Sequence, residues 1–181
     1  MIEISFVFGM LVTVCGWVIL RGCVNVRAGA FCWKEELKHL LLLINLLVIV
    51  RITFYPFAKV DGQVQPLLFD PAAVWPLRVN LIPFVNLLDY DSRRDLLLNL
   101  IGNVTAFIPT GIVVPLVCKR FDSWRKIFCT GAAFSWGIEI LQLPFAVRAS
   151  DVDDLILNTV GVLTGYGILT LCRFVKKGIG R

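Results

Sequence analysis

Charged residues are scarce in this sequence, and their scarcity excludes an ordinary soluble domain. They make up 17% of the 181 residues, whereas hydrophobic residues make up 57% and the mean hydropathy is +0.79. Soluble domains carry about 25% charged residues. We therefore predict one membrane domain over residues 1–181, without a separate soluble domain.

Histidine is nearly absent, since His39 is the single example, and two cysteines never occur three positions apart. These absences exclude the usual ligand patterns of a zinc site. The six cysteines all fall beside or within apolar segments on the side that we assign to the cytoplasm, where disulfides are rare. We expect no metal, no other cofactor and no structural disulfide.

Five apolar stretches approach or exceed the ~20 residues that cross a bilayer as a helix. They predict an all-α, polytopic integral membrane protein with about five transmembrane helices, at residues 4–20, 37–58, 96–118, 127–145 and 155–174. The first stretch begins with an acidic rather than a basic flank and is followed by Arg21. This arrangement favours a retained anchor over a cleaved signal peptide.

Residues 59–95 form a segment that is neither a span nor a typical solvated loop. Prolines 66, 71, 76 and 83 prevent a long helix. Apolar residues such as Trp75 and Phe84 nevertheless disfavour full exposure to solvent. We predict a re-entrant or interfacial segment, because irregular backbone at membrane depth must be covered by protein or line a cavity.

The basic residues indicate the orientation. Most of the 18 lysines and arginines lie in residues 21–38, in residues 119–126 and near the C-terminus, beside few of the 13 acidic residues. Cytoplasmic loops are enriched in such residues. We predict the N-terminus outside and the C-terminus in the cytoplasm. The pattern argues against a nucleic-acid partner, despite the net charge of +5.

With this orientation, the polar residues within the spans gather in the outer halves. They are Arg51, Asn99, Asn103, Glu139, Gln142, Asp154 and Asn158. Ionisable residues at membrane depth are costly and commonly functional. We predict a polar cavity that opens to the outer side beneath residues 66–95.

Helical spacing groups these residues further. Glu139 and Gln142 are three positions apart, which places both on one helix face. After a polar loop that contains Arg148, further residues recur every three or four positions on a second face: Asp151, Asp154, Asn158, Gly161 and Gly165. The two faces have the composition of two walls of one pocket.

Four motifs in this order resemble the VanZ-like family of membrane proteins. They are residues 78–84 (RVNLIPF), Asn99 and Asn103 before residues 107–111 (FIPTG), residues 139–142 (EILQ), and the series from Arg148 to Gly165. The resemblance spans roughly residues 78–167. It implies a cell-membrane protein of a Gram-positive bacterium, related to resistance to teicoplanin-type glycopeptide antibiotics.

The motifs and the polar residues together define the candidate site. The ligand-binding candidates are Arg51, Arg78, Asn80, Asn99, Asn103, Glu139, Gln142, Arg148, Asp151, Asp154 and Asn158. The candidates for an acid or a base are Glu139, Asp151 and Asp154, because burial disfavours the charged form of a carboxylate.

Each candidate also has a structural interpretation. Glu139 and Gln142 could join helices by hydrogen bonds, Asp151 or Asp153 could cap a helix, and Asn80 could shape a turn. Arg51 and Arg148 could be counter-ions of the carboxylates or could bind an anionic ligand group. Gly161 and Gly165 have the spacing of a helix-packing face.

Three functions remain open from the residues. The first is binding of a cell-envelope ligand at the outer leaflet, with membrane lipids and a lipid-linked cell-wall precursor or a glycopeptide as partners. The second is an enzyme that acts there with paired carboxylates, and the third is a transporter or flippase. Whether a reaction is catalysed, and the oligomeric state, stay open.

Overall fold

Five long helices make up most of the chain. In a computed structural model, the described residues are 1–29, 31–55, 59–60, 62–85, 92–145 and 150–179. The helices are α1 (Phe6–Ala28), α2 (Trp33–Phe54), α3 (Arg93–Val117), α4 (Trp124–Gln142) and α5 (Val152–Ile179). Short 3-10 turns occur at Pro71–Val74 and Lys119–Phe121. The predicted helical architecture is confirmed.

Six strands of two or three residues add a feature that the sequence did not predict. They are β1 (Ile2–Ile4), β2 (Lys59–Val60), β3 (Gln63–Val64), β4 (Leu67–Phe69), β5 (Val79–Asn80) and β6 (Ser150–Asp151). β1 pairs with β4 and β2 with β3, both antiparallel, and β5 pairs with β6 in parallel. The described part of the predicted outer segment therefore takes part in three strand pairings, two of them with strands outside the segment. Its re-entrant or interfacial position stays a prediction. Residues 61 and 86–91 of that segment lie outside the described residues.

Four of the five helices are long and apolar enough to cross a membrane, namely α1, α2, α3 and α5. The fourth predicted span, α4, is not in this set, because it contains Arg125, Lys126 and Glu139. Its 19 residues rise by about 28 Å, close to the thickness of the hydrocarbon core. Five crossings therefore stay a prediction.

Two helix boundaries differ from the predicted spans for identifiable reasons. α1 continues past Arg21 to Ala28, because the Arg21 guanidinium bonds to Asn25 one turn later and to Glu36 at the start of α2. Gly29 then ends the helix with a left-handed φ of 63°. α2 ends at Phe54, and residues 56–58 of the predicted second span lie outside the described residues.

The centre of the fold is the contact between α3 and α5, and glycines make it close. A methyl group on Gly161 would overlap the Val104 carbonyl oxygen, and one on Gly165 would overlap that of Ile108. Phe107 is fully buried beside these contacts. Small residues permit such close backbone approach. The predicted packing role of both glycines is therefore confirmed.

The contacts define two ends of the helix bundle. At one end, β1 pairs with β4, the Tyr55 hydroxyl donates to the Ser5 carbonyl, and the Asp70 N–H donates to the Pro144 carbonyl. We call the described residues 62–85 at this end the cap. At the other end, which we call the basic end, Arg173 of α5 pairs with Asp122 just before α4.

Candidate functional site

The parallel pairing of β5 with β6 fixes the cap to the start of α5. Asn80 lies opposite Asp151, and the Ser150 N–H donates to the Arg78 carbonyl over 3.0 Å. The Asn80 side-chain amide also donates to Asp151 Oδ1 over 3.2 Å. Two residues that are 71 positions apart in sequence are thus brought into direct contact.

Glu139 lies at the end of α4 directly against the same strand. Its side chain is only 6% exposed, and Oε2 accepts the Asp151 N–H over 3.0 Å. The Ser150 hydroxyl donates to the Glu139 carbonyl over 2.8 Å. Since both backbone and side chain are bonded to β6, Glu139 fixes the entry into α5.

Three aspartates occupy the first residues of α5 and the position before it. Asp151 Oδ1 accepts the Asp153 N–H over 3.0 Å, which is the hydrogen bond typical of the residue directly before a helix. Asp153 Oδ1 accepts the Phe84 N–H of the cap over 2.8 Å. Asp154 Oδ1 accepts the side-chain amide of Asn103 over 2.6 Å. Acidic residues are favoured here because a helix N-terminus is electropositive.

These contacts form one polar cluster, and a second asparagine extends it. The Asn103 amide also donates to Asn99 Oδ1, one turn earlier on α3, over 3.2 Å. We use the name polar cluster for Asn80, Asn99, Asn103, Glu139, Asp151, Asp153 and Asp154. It joins α3, α4, α5 and the cap, so four separate stretches of sequence build it.

Other predicted site residues bond away from the polar cluster. Gln142 donates to the Thr53 carbonyl over 2.6 Å and so joins α4 to α2. Asn158 donates to the Ser135 hydroxyl over 2.9 Å and joins α5 to α4. Both are almost fully buried. Both side chains therefore join helices by hydrogen bonds, and the ligand-binding role predicted for them stays a prediction.

The arginines take separate positions. Arg51 donates to the Tyr55 carbonyl over 2.8 Å, and its guanidinium carbon lies 5.5 Å from the ring centre of Phe6. Arg78 donates to the Phe145 carbonyl over 3.2 Å, which ties the cap to the segment after α4. Arg148 lies outside the described residues.

Comparison with known proteins identifies the family. The profile of the VanZ/LLP1 family matches residues 42–173. This chain belongs to the VanZ/LLP1 family. The matched region contains every residue of the polar cluster, whereas β1 and α1 precede it.

A named relative is similar over a shorter region. Protein VanZ of Enterococcus faecium is 38% identical over 72 residues, which is 38% of this chain and 44% of the relative. The match thus spans less than half of the relative's length. No solved structure matches this chain significantly.

Two residues of the site in this VanZ/LLP1 family member were not predicted from the sequence. Asp153 is 4% exposed, and among the described residues its Oδ2 atom has no hydrogen-bond partner. Ser150, also buried, bonds to the end of α4. The sequence signal was present, because both flank Asp151 at a predicted helix start.

The cluster is chemically a set of acceptors. Carboxylate oxygens outnumber the amide donors, so a bound group would be recognised through its hydroxyl, amide or ammonium hydrogens. Within the described ranges, no three His, Cys, Asp or Glu side chains are placed to hold a metal ion. The arrangement therefore favours hydrogen-bonding recognition, with Asp153 and Glu139 the most shielded acceptors.

Proposed function

We propose that this protein acts at the outer face of the cell membrane, where its polar cluster binds a cell-envelope ligand. Resistance to teicoplanin-type glycopeptides is the phenotype that the family resemblance implies. The main support for this proposal is that five polar side chains converge around the start of α5, namely Asn80, Asn103, Glu139, Asp151 and Asp154. Four elements meet there, although packing alone would need no carboxylates.

The orientation is part of the proposal. The cap end holds the polar cluster and the N-terminal strand β1. The basic end holds Lys119, Arg120, Lys126 and Arg173. Because basic residues favour the cytoplasmic side, this distribution supports an outward-facing cap and a cytoplasmic C-terminus.

The ligand chemistry follows from the acceptor-rich composition of the cluster. The sugar hydroxyls and peptide amides of a lipid-linked cell-wall precursor supply suitable donors, as do those of a glycopeptide antibiotic. An anionic group of the same ligand would need a cationic partner. Arg51, Arg78 and Arg148 are the candidate arginines that the sequence places at this end.

The apolar surface of the cap supports access from the membrane. Trp75 is 78% exposed, Leu81 74% and Phe84 56%, and Leu77 and Ile82 are also exposed. Such residues are favoured at the boundary between headgroups and acyl chains. We propose that the cap lies in this interface, beside membrane lipids, so that a lipid-linked ligand reaches the polar cluster without leaving the bilayer.

An enzymatic function is the second candidate, and the unequal burial of the carboxylates favours it. Glu139 is buried, whereas Asp151 and Asp154 are partly exposed. Carboxylates in different environments can divide the roles of acid and base. In this case Glu139→Gln should retain binding of a lipid-linked precursor but give no product in an assay with purified protein.

Teicoplanin susceptibility in a sensitive Gram-positive host tests the first candidate. The strains would express wild type, Glu139→Gln, Asp151→Asn or an empty vector at matched membrane levels. We expect wild type to raise the inhibitory concentration and both variants to abolish this protection. The matched control is Asp122→Asn, a carboxylate-to-amide change at the basic end, which should protect like wild type.

Two results would contradict the proposal. If Glu139→Gln and Asp151→Asn protect as well as wild type, their charge is structural and the polar cluster is not the site. If wild type itself gives no protection, the resistance phenotype does not extend to this protein.

A further inference from the structure

An open groove of about 530 Å³ lies at the basic end, far from the polar cluster. It is lined by Phe121, Lys126, Cys129, Thr130, Ala133 and Phe134. The five α4 residues recur at helical spacing, so they form one stripe along the helix. The lining combines the small side chains of Cys129, Thr130 and Ala133 with two aromatic rings. Such a groove fits a narrow, flexible apolar chain rather than a bulky side chain.

The rim of the groove is strongly basic. Lys126 donates to the Arg120 carbonyl over 2.8 Å, which holds its ammonium group at the groove. Lys119, Arg120 and Arg125 are exposed and lie close to the lining residues Phe121 and Lys126 in sequence. The nearby carboxylate of Asp122 accepts two bonds from Arg173, of 2.7 and 2.8 Å, so its charge is already balanced. The rim is therefore suited to an anion.

Aromatic and basic residues also mark the depth of this rim. Trp124 is 62% exposed, and the Arg125 guanidinium carbon lies 5.5 Å from its ring centre. Tryptophan and arginine are favoured at the level of lipid headgroups. From Lys126 the α4 stripe leads to Ala133, about 10 Å further along the axis. With α4 crossing the membrane as predicted, the groove would begin at headgroup level and continue to the depth of acyl chains.

We propose that this groove binds one anionic phospholipid. The phosphate is held by Lys126, with Lys119, Arg120 and Arg125 around it, and one acyl chain lies along Cys129, Thr130 and Ala133. A second copy of this chain is a poorer occupant, because a symmetric contact through α4 would bring two basic rims together. This site is independent of the function proposed for the polar cluster.

Native mass spectrometry of the purified full chain tests the proposal. The protein would be released from detergent micelles that contain equal amounts of phosphatidylglycerol and phosphatidylcholine. We expect one retained phosphatidylglycerol in preference to phosphatidylcholine. Lys126→Gln should lower this preference about fivefold, because one basic residue near anionic lipid contributes about 1 kcal/mol. Ala133→Phe should reduce retention of both lipids by filling the groove.

Matched variants separate the groove from general effects. Leu141→Phe adds an aromatic ring at an exposed α4 position outside the groove, and Lys177→Gln removes a charge from the end of α5. Both should retain lipid like wild type. Equal retention of the two lipids by wild type, or equal losses in Ala133→Phe and Leu141→Phe, would refute the site. Full competition by inorganic phosphate would show an anion site without a lipid. Retention of a second protein copy instead of lipid would make the groove a dimer interface.

Discussion

At the residue scale, buried polar side chains in this protein act mainly as connections between helices. Thr110 donates to Asn45 between α3 and α2, and Asn158 donates to Ser135 between α5 and α4. The sequence predicted Asn158 as a polar position but not its partner. Serine within an apolar helix gives little signal, because its hydroxyl often bonds to its own helix backbone.

Ser135→Ala should destabilise the protein by about 1 kcal/mol, because it leaves the buried Asn158 side-chain amide without its acceptor. For a chain of this size, the unfolding midpoint in detergent should fall by about 2–4 °C. The control is Thr164→Ala on α5, whose exposed hydroxyl bonds to the Val160 carbonyl of its own helix. Equal midpoints for Ser135→Ala and wild type would show that the Asn158 bond contributes nothing.

Asp153 holds the cap through one bond to the Phe84 N–H. Phe84 has a φ of 66°, a region that bulky residues rarely adopt. Asp153→Ala should therefore release the backbone of residues 81–85 and speed hydrogen exchange of the Phe84 amide about tenfold. Asp153→Asn keeps the accepting oxygen and should exchange nearly like wild type. Unchanged exchange in Asp153→Ala would mean that other contacts hold the cap.

At the element scale, long features were predictable and short ones were not. The long helices were predictable because about 20 apolar residues give a signal that local exceptions do not hide. Strands such as β5 and β6 have two residues each, too few for any periodicity. The contact of Asn80 with Asp151 depends on this pairing, whereas the face shared by Asp151, Asp154 and Asn158 followed from helical spacing alone.

Gly161→Ala and Gly165→Ala should each destabilise the protein by roughly 1–3 kcal/mol, because the new methyl group would force α5 away from α3. Gly167→Ala on the same helix is the matched control, since its added methyl group would meet open space. That change should be neutral or slightly stabilising, because alanine is the better helix former. The measurement is the midpoint of thermal unfolding of the three variants and of wild type. Equal midpoints would contradict the close-packing role of the glycines.

At the scale of the whole molecule, the two ends of the bundle differ in character. The carboxylates and amides of the polar cluster gather at the cap end, and lysines and arginines gather at the basic end. The sequence predicted this segregation, because charge and polarity along each span indicate depth. It could not predict that β1 pairs with β4, since β1 lies before the first span and β4 after the second.

The proposed function requires that the cap and the polar cluster face the outside of the cell. The most direct test is labelling of intact cells with a membrane-impermeant maleimide. Gln63→Cys places a thiol at an exposed cap position, and the native Cys23, exposed near the end of α1, reports on the opposite end. We predict labelling of Cys at position 63 in intact cells, and of Cys23 only after permeabilisation. The opposite pattern is labelling of Cys23 in intact cells and labelling of position 63 only after permeabilisation. That pattern would show the reverse orientation and refute an outward-facing polar cluster.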